Sequence, residues 1–194
     1  MLSYKDSLKI LKETNALIDG HFILSSGLHS PQYVQCAQLL SNPHKAEKFC
    51  NSLADKILKE FNNIDLILSP AMGGIVIGYE IGRLLKKVAI FSERVNGEFK
   101  LRRGFKILEN AKVLVVEDVI TTGKSSLECS KLIKDSNANL LGFACLIDRS
   151  NGTSMLNKKI VSQLQINIPT YKENELPKDL KLIPATKPGS RDLK

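Results

Sequence analysis

Residues 113–126 read VLVVEDVITTGKSS, and most of the chemistry available to this chain is concentrated there. An apolar, β-branched run from Val113 to Val116 meets two adjacent carboxylates, Glu117 and Asp118. The turn Thr121-Thr122-Gly123-Lys124-Ser125 follows, and then a helical stretch. Where a strand runs into a helix, the first helical N–H groups lack intrahelical partners and the helix dipole favours negative charge. The hydroxyls of Thr121, Thr122, Ser125 and Ser126 add donors, so the turn can cradle a phosphate. Gly123-Lys124-Ser125 mimics the end of a Gly-x-x-x-x-Gly-Lys-Ser polyphosphate loop, but Asp118 stands where that loop requires its first glycine. Two carboxylates ahead of a cradle repel polyphosphate. They can instead accept hydrogen bonds from the vicinal hydroxyls of a ribose. Acid pair and cradle together describe a ribose 5-phosphate site. A capped helix with a plain turn would explain any shorter part of this string, but not the whole of it.

Three other segments bear on the same chemistry. Ser69-Pro70-Ala71-Met72-Gly73-Gly74 follows an apolar run, and its two glycines allow close backbone approach to an anion; otherwise it is a strand-to-helix turn. Asp148-Arg149 ends another apolar run, at the edge of the sheet where ligands bind. Residues 92–107 carry Arg94, Lys100, Arg102, Arg103 and Lys106 around Asn96-Gly97, a type I′ hairpin signal. A basic arm of this kind suits a lid over a departing anion, or is a solvated charged hairpin.

The elements that must position these residues follow from periodicity. Helices are expected over 4–18, 45–61, 74–86 and 124–136, and buried strands over 64–69, 88–92, 113–117 and 140–147. This alternation predicts an α/β fold with right-handed crossovers and an open parallel sheet covered on both faces. The 92–107 hairpin is expected to stand away from the core. The tail from Pro169, with four of the seven prolines, should be irregular.

Composition narrows the classes. With 194 residues, 43% hydrophobic and 25% charged, the chain suits one globular domain with no need of staples. No apolar run approaches the roughly 18 residues that span a bilayer. Lys5, Asp6 and Lys9 precede any apolar stretch, unlike a signal peptide, so a cytoplasmic location is expected. Cys36, Cys50, Cys129 and Cys145 form no Cys-x-x-Cys, and His21, His29 and His44 make no metal-ligand spacing with them. The net charge of +8 suits an anionic partner without choosing among nucleic acid, membrane and phosphorylated small molecules.

The string at 113–126 resembles the phosphoribosyl-diphosphate (PRPP) motif of type I phosphoribosyltransferases. Four further segments, GHFILSSGLHSPQYVQC (20–36), SPAMGGIVIG (69–78), FSERVNGEFKLRRGF (91–105) and LIDRSNG (146–152), are similar to the orotate phosphoribosyltransferase branch of that family over nearly the full length. The resemblance implies a central parallel β-sheet flanked by helices, with a protruding β-hairpin loop. It also implies one domain over 1–194, with a core at about 45–150 and a small hood from about 1–40 and 155–194. It implies transfer of phosphoribosyl from PRPP to orotate, giving orotidine 5′-monophosphate and diphosphate, a step of UMP synthesis. Glu117 and Asp118 would hold the ribose hydroxyls. Val119, Ile120, Thr121, Thr122, Gly123, Lys124 and Ser125 would wrap the 5-phosphate, with Arg94 also binding PRPP. Ala71, Met72, Gly73 and Gly74 would form the diphosphate loop, and Thr121, Arg149 and Ser25 would meet orotate. Lys100, Arg102 and Arg103 would join the acid pair in catalysis by assisting the leaving group. Mg²⁺ would be held mainly by substrate oxygens and water, with no direct protein ligand. A homodimer is implied, in which the 92–107 loop reaches the neighbouring site, with no nucleic-acid or membrane partner. Two departures mark a separate branch: Ser25 stands where some members carry a substrate-contacting lysine, and the loop has no histidine. The alternatives are a phosphoribosyltransferase for another base and a non-catalytic PRPP-sensing regulator.

Overall fold

Leu114 and Val116 enter one apolar layer of the protein and Val113 and Val115 the other, all four fully buried. That is the two-residue repeat of a strand covered on both faces. They belong to β6 (Lys112–Ile120), the centre of a computed structural model that describes residues 1–24 and 26–188. Around it lie β3 (Leu66–Pro70), β4 (Val88–Val95), β5 (Glu98–Leu101), β7 (Asn139–Asp148) and β8 (Ile160–Gln165). The strand order is β5-β4-β3-β6-β7-β8, parallel throughout except for β5, which runs antiparallel to β4. From β3 the chain goes to one side to make β4 and then returns to the other side to make β6. This reversal opens a crevice at the carboxyl ends of β3 and β6, where open α/β sheets bind their ligands.

Helices fill both faces. α3 (Pro43–Glu60) and α4 (Gly73–Leu85) supply Phe49, Leu53, Ile57, Ile77 and Ile81 to the layer of Leu114. α5 (Lys124–Asp135) supplies Cys129 and Ile133 to the opposite layer. α1 (Tyr4–Glu13) and α2 (Cys36–Leu40) add Leu11 and Leu39 to the first. The local signals agree. Ser3 caps α1 by accepting from the Asp6 amide, and Asn42 caps α3 by accepting from the Lys45 amide, with Pro43 at the first turn.

A second, two-stranded antiparallel sheet is formed by β1 (Leu17–Ile23) and β2 (His29–Val34), and the C-terminal tail is tied to it. Tyr171 and His29 exchange both backbone hydrogen bonds, at 2.8 and 2.9 Å, and the Ile23 amide donates to the Thr186 carbonyl at 2.8 Å. The buried rings of His21 and His29 meet at 2.7 Å, and His21 Nδ1 donates to the Ile183 carbonyl. The tail otherwise holds a 3-10 turn at Glu173–Glu175 and α6 (Lys178–Lys181).

The structure corrects three expectations. The first helix ends at Glu13, not 18: Asn15 takes a left-handed φ of 54° and Leu17 begins β1. The hairpin turns at Asn96-Gly97 with φ of 51° and 85°, as a type I′ turn requires, but does not stand away from the core. Its second arm, β5, is the edge strand of the main sheet. Phe99 is buried beneath the Arg94 guanidinium at 4.2 Å, while Glu98 and Lys100 face solvent as an exposed ion pair. Finally, residues 160–165, within the stretch expected as hood, form β8 and join the sheet beside β7. The central strand, expected over 113–117, also takes in Asp118 and runs on to Ile120.

Leu114→Ala removes a fully buried side chain from the middle of β6. It should cost about 2–5 kcal/mol of stability, read as a lower urea midpoint with an unchanged m-value.

Candidate active site

β6 carries Glu117 and Asp118 into the crevice, and α5 begins six residues after the aspartate. Between them Gly123 takes φ of 77° and N-caps the helix. A β-carbon there would stand 2.6 Å from Leu156 Cγ, so glycine is required by both conformation and space. Thr121, Thr122 and Lys124 are exposed around the turn. The Thr122 carbonyl accepts from the Met155 amide at 2.8 Å, which ties the segment after β7 to the cradle.

The diphosphate-loop candidate lies across the crevice at the end of β3. A β-carbon on Gly73 would stand 2.7 Å from Asp118 Oδ1, so the aspartate packs directly on the bare α-carbon. Gly74 is buried against Pro70, Ser69 and the Val116 carbonyl, while Met72 is exposed. The Ala71 amide donates to the Ser92 carbonyl at 2.8 Å, fixing the loop to β4. The structure therefore brings residues 71–74 and the acid pair into contact.

Burial dominates the electrostatics of the pair. It pushes the Glu117 carboxyl up to about 7; the Ser126 hydroxyl opposes that rise and the Asp118 charge adds to it. Burial likewise raises Asp118, against the Val119 amide that donates to Oδ1 at 2.9 Å. Cys36, its thiol pushed well up by burial, lies beneath with Sγ 3.8 Å from the Asp118 carbonyl. A neutral thiol there is a packing group and weak donor, not a nucleophile.

Arg149 follows β7, its amide bonded to the Ile120 carbonyl at 2.8 Å. Its guanidinium is partly buried, with Nε buried and unpartnered, and burial lowers its pKa. Tyr33 of β2 opposes that shift, which places it near the arginine. A desolvated cation with an unused N–H is suited to a planar anionic partner. Asp148 beside it is consumed internally, accepting from the Ser150 amide and from Gln165.

The basic hairpin residues are less convergent. Arg94 pairs with Glu128 of α5 at 2.7 Å, Arg102 and Arg103 share Glu93 at 3.2 and 2.5 Å, and Lys100 lies 3.8 Å from Glu98. Among the described residues no hydrogen bond or ion pair joins any of the four to Glu117 or Asp118. Ser25 lies outside the described residues. Sequence reasoning missed three participants: Tyr33, Leu156 and the Glu117 contact of Ser126, whose hydroxyl is spent on the carboxylate and not offered to the cradle. Nothing local in the sequence distinguishes the first two; the third is a nine-residue separation across a strand-to-helix turn. A cavity of about 710 Å³ between Met1, Lys56 and β8 contains none of the site residues. Among the described residues no cluster of three or more His, Cys, Asp or Glu could hold a metal ion, and no helix is long and apolar enough to cross a membrane.

Comparisons with known proteins converge on one group. Residues 36–180 match the model of the phosphoribosyl transferase domain. An orotate phosphoribosyltransferase of Parvibaculum lavamentivorans is 48% identical over 192 residues, covering 97% of this chain and 99% of the relative. One from Erythrobacter litoralis is 47% identical over 188 residues, covering 96% and 97%. The crystal structure of orotate phosphoribosyltransferase from Aeropyrum pernix superposes with a TM-score of 0.69 at 23% identity, over 81% of this chain and 92% of that one.

The raised Glu117 pKa makes a prediction with a definite sign. A carboxyl that titrates near 7 in the folded state and near 4.5 when unfolded favours folding below that window and loses the advantage as pH rises through it. Glu117→Gln should therefore raise the thermal midpoint at pH 8, by a few degrees, and the gain should vanish near pH 4, below both midpoints. Differential scanning calorimetry at the two pH values reads it.

Proposed function

Because the chain belongs to the phosphoribosyl transferase family, matched over residues 36–180, we propose that it transfers the phosphoribosyl group of PRPP to orotate. The products are orotidine 5′-monophosphate and diphosphate, and the reaction serves UMP synthesis. The observation that carries the site reading is the contact of the acid pair with the glycine loop, Asp118 against Gly73, at the switch point of the sheet.

On this reading Glu117 and Asp118 accept the ribose hydroxyls, and residues 119–125 receive the 5-phosphate on amides and hydroxyls. The anomeric carbon then lies toward residues 71–74, whose backbone holds the diphosphate. Orotate is held by Thr121 and Arg149, and its ring nitrogen is the nucleophile, so the protein supplies none. Loss of diphosphate leaves a cation-like ribose, and two carboxylates under the ring stabilise that charge while fixing the sugar's orientation. The exposed cations Arg94, Lys100, Arg102 and Arg103 are the candidates to neutralise the departing diphosphate on loop closure.

Mg²⁺ is proposed as cofactor. Glu117 and Asp118 present at most a two-carboxylate face, so the ion would be carried mainly by PRPP oxygens and water. When bound it neutralises the negative charge of the leaving diphosphate. A homodimer is proposed as the working form, with the 92–107 loop reaching the neighbouring site. Met72, at the N-cap of α4, and Val76 and Tyr79 within it, all exposed beside the glycine loop, support a self-associating face. The cytoplasm is the proposed setting, where the four buried free cysteines would stay reduced.

Incubation with orotate, PRPP and Mg²⁺, following loss of orotate's ultraviolet absorbance, tests the reading; substitution of a purine base or no turnover would overturn it. Asp118→Asn should lower kcat by about a hundredfold or more, with an unchanged circular dichroism spectrum. Arg149→Ala should raise the KM for orotate about tenfold or more while sparing that for PRPP, since it removes a charged partner of orotate alone.

A further inference from the structure

Ser126 lies in the first turn of α5 and is completely buried. A helical serine commonly bonds back to a carbonyl three or four residues earlier. Ser130 and Ser136 of this helix region do so, donating to Leu127 and Leu132. Ser126 does not. Its hydroxyl crosses to β6 and donates to Glu117 Oε2, while the Thr122 carbonyl ahead of the helix accepts from the Met155 amide. The second carboxylate oxygen accepts no hydrogen bond from any described residue.

We propose that Ser126 is a positioning residue for Glu117: its hydroxyl grips one carboxylate oxygen and leaves the other for a ribose hydroxyl. The helical turn that offers amides to the phosphate thus also orients the acid that meets the sugar, and sets the spacing between the two. Among the described residues no cation is paired with Glu117. Asp118 adjoins it on β6, Cys129 faces it from α5 and Cys145 from β7, all neutral or anionic. Among the described residues the hydroxyl is the interaction that opposes the rise of the glutamate's pKa.

The role in catalysis rests on the PRPP reading above, but the contact can be tested without substrate. In carboxyl-carbon NMR of the full chain, with the Glu117 signal assigned by its loss in Glu117→Gln, Ser126→Ala should move the glutamate's midpoint upward from about 7 by about one pH unit. Ser126→Thr, which keeps the hydroxyl, should restore it. PRPP affinity, measured by calorimetry with Mg²⁺, should fall about tenfold in Ser126→Ala. In the Glu117→Gln background the same substitution should cost nothing further. If the alanine variant does not fold, Ser126→Cys, with similar volume and a poorer donor, is read by the same criteria. An unmoved midpoint, or losses that add in the double variant, would overturn the positioning role. Wild-type protein that binds no PRPP would overturn the enzymatic reading as well, whereas PRPP binding that is indifferent to Ser126 would overturn this inference alone.

Discussion

Two neighbouring carboxylates are kept in a half-dry crevice with no cation of the described residues paired to them, and the rest of the structure is arranged around that constraint. Burial raises both pKa values, and among the described residues the rise is opposed by the Ser126 hydroxyl at Glu117 and by the Val119 and Asp118 amides at Asp118. An ion pair would stabilise the acids more simply. It would also occupy the oxygens that a sugar needs. The price of leaving them open is met by the sheet, whose two apolar layers hold β6 rigidly from both sides.

The topology does the positioning. Reversal of the strand order at β3, with β4 added on one side and β6 on the other, puts two strand-to-helix turns side by side, one with glycines and one with hydroxyls. Each turn is anchored from outside its own unit. The glycine loop is tied to β4 through Ala71 and Ser92, and the cradle to the segment after β7 through Thr122 and Met155. The segment that bears Arg149 therefore shares a framework with the turn that would hold phosphate. The two turns and the Arg149 segment are held relative to one another by backbone contacts between loops on rigid strands, which would suit a reaction that depends on orientation.

What was legible in the sequence was whatever is encoded locally. The string 113–126 contains its own strand, acids, turn and helix start, and Asn96-Gly97 contains its own turn. The hairpin's placement was not legible, because burial of Phe99 depends on a partner strand and on Arg94 lying over the ring. β8 was missed because IVSQLQ, at a sheet margin, breaks its apolar residues with Ser162 and Gln163 and lacks the continuous apolar run of β6. Leu17 suited a helical stripe and a strand equally, and only the left-handed Asn15 decides between them. Ser126 was read as a phosphate donor from its position in the turn; its buried contact with Glu117 depends on how α5 packs against β6, which no local signal encodes.

The border strand β5 has a consequence for how the molecule meets others of its kind. It is only four residues long, and its outward side chains, Glu98 and Lys100, are charged and hydrated. A margin this brief and this wet is a poor template for recruiting a foreign strand, which protects a six-stranded sheet from fibrillar growth. Encounters on that flank must be made through side chains, so the arm can touch and release another molecule without being stitched into it.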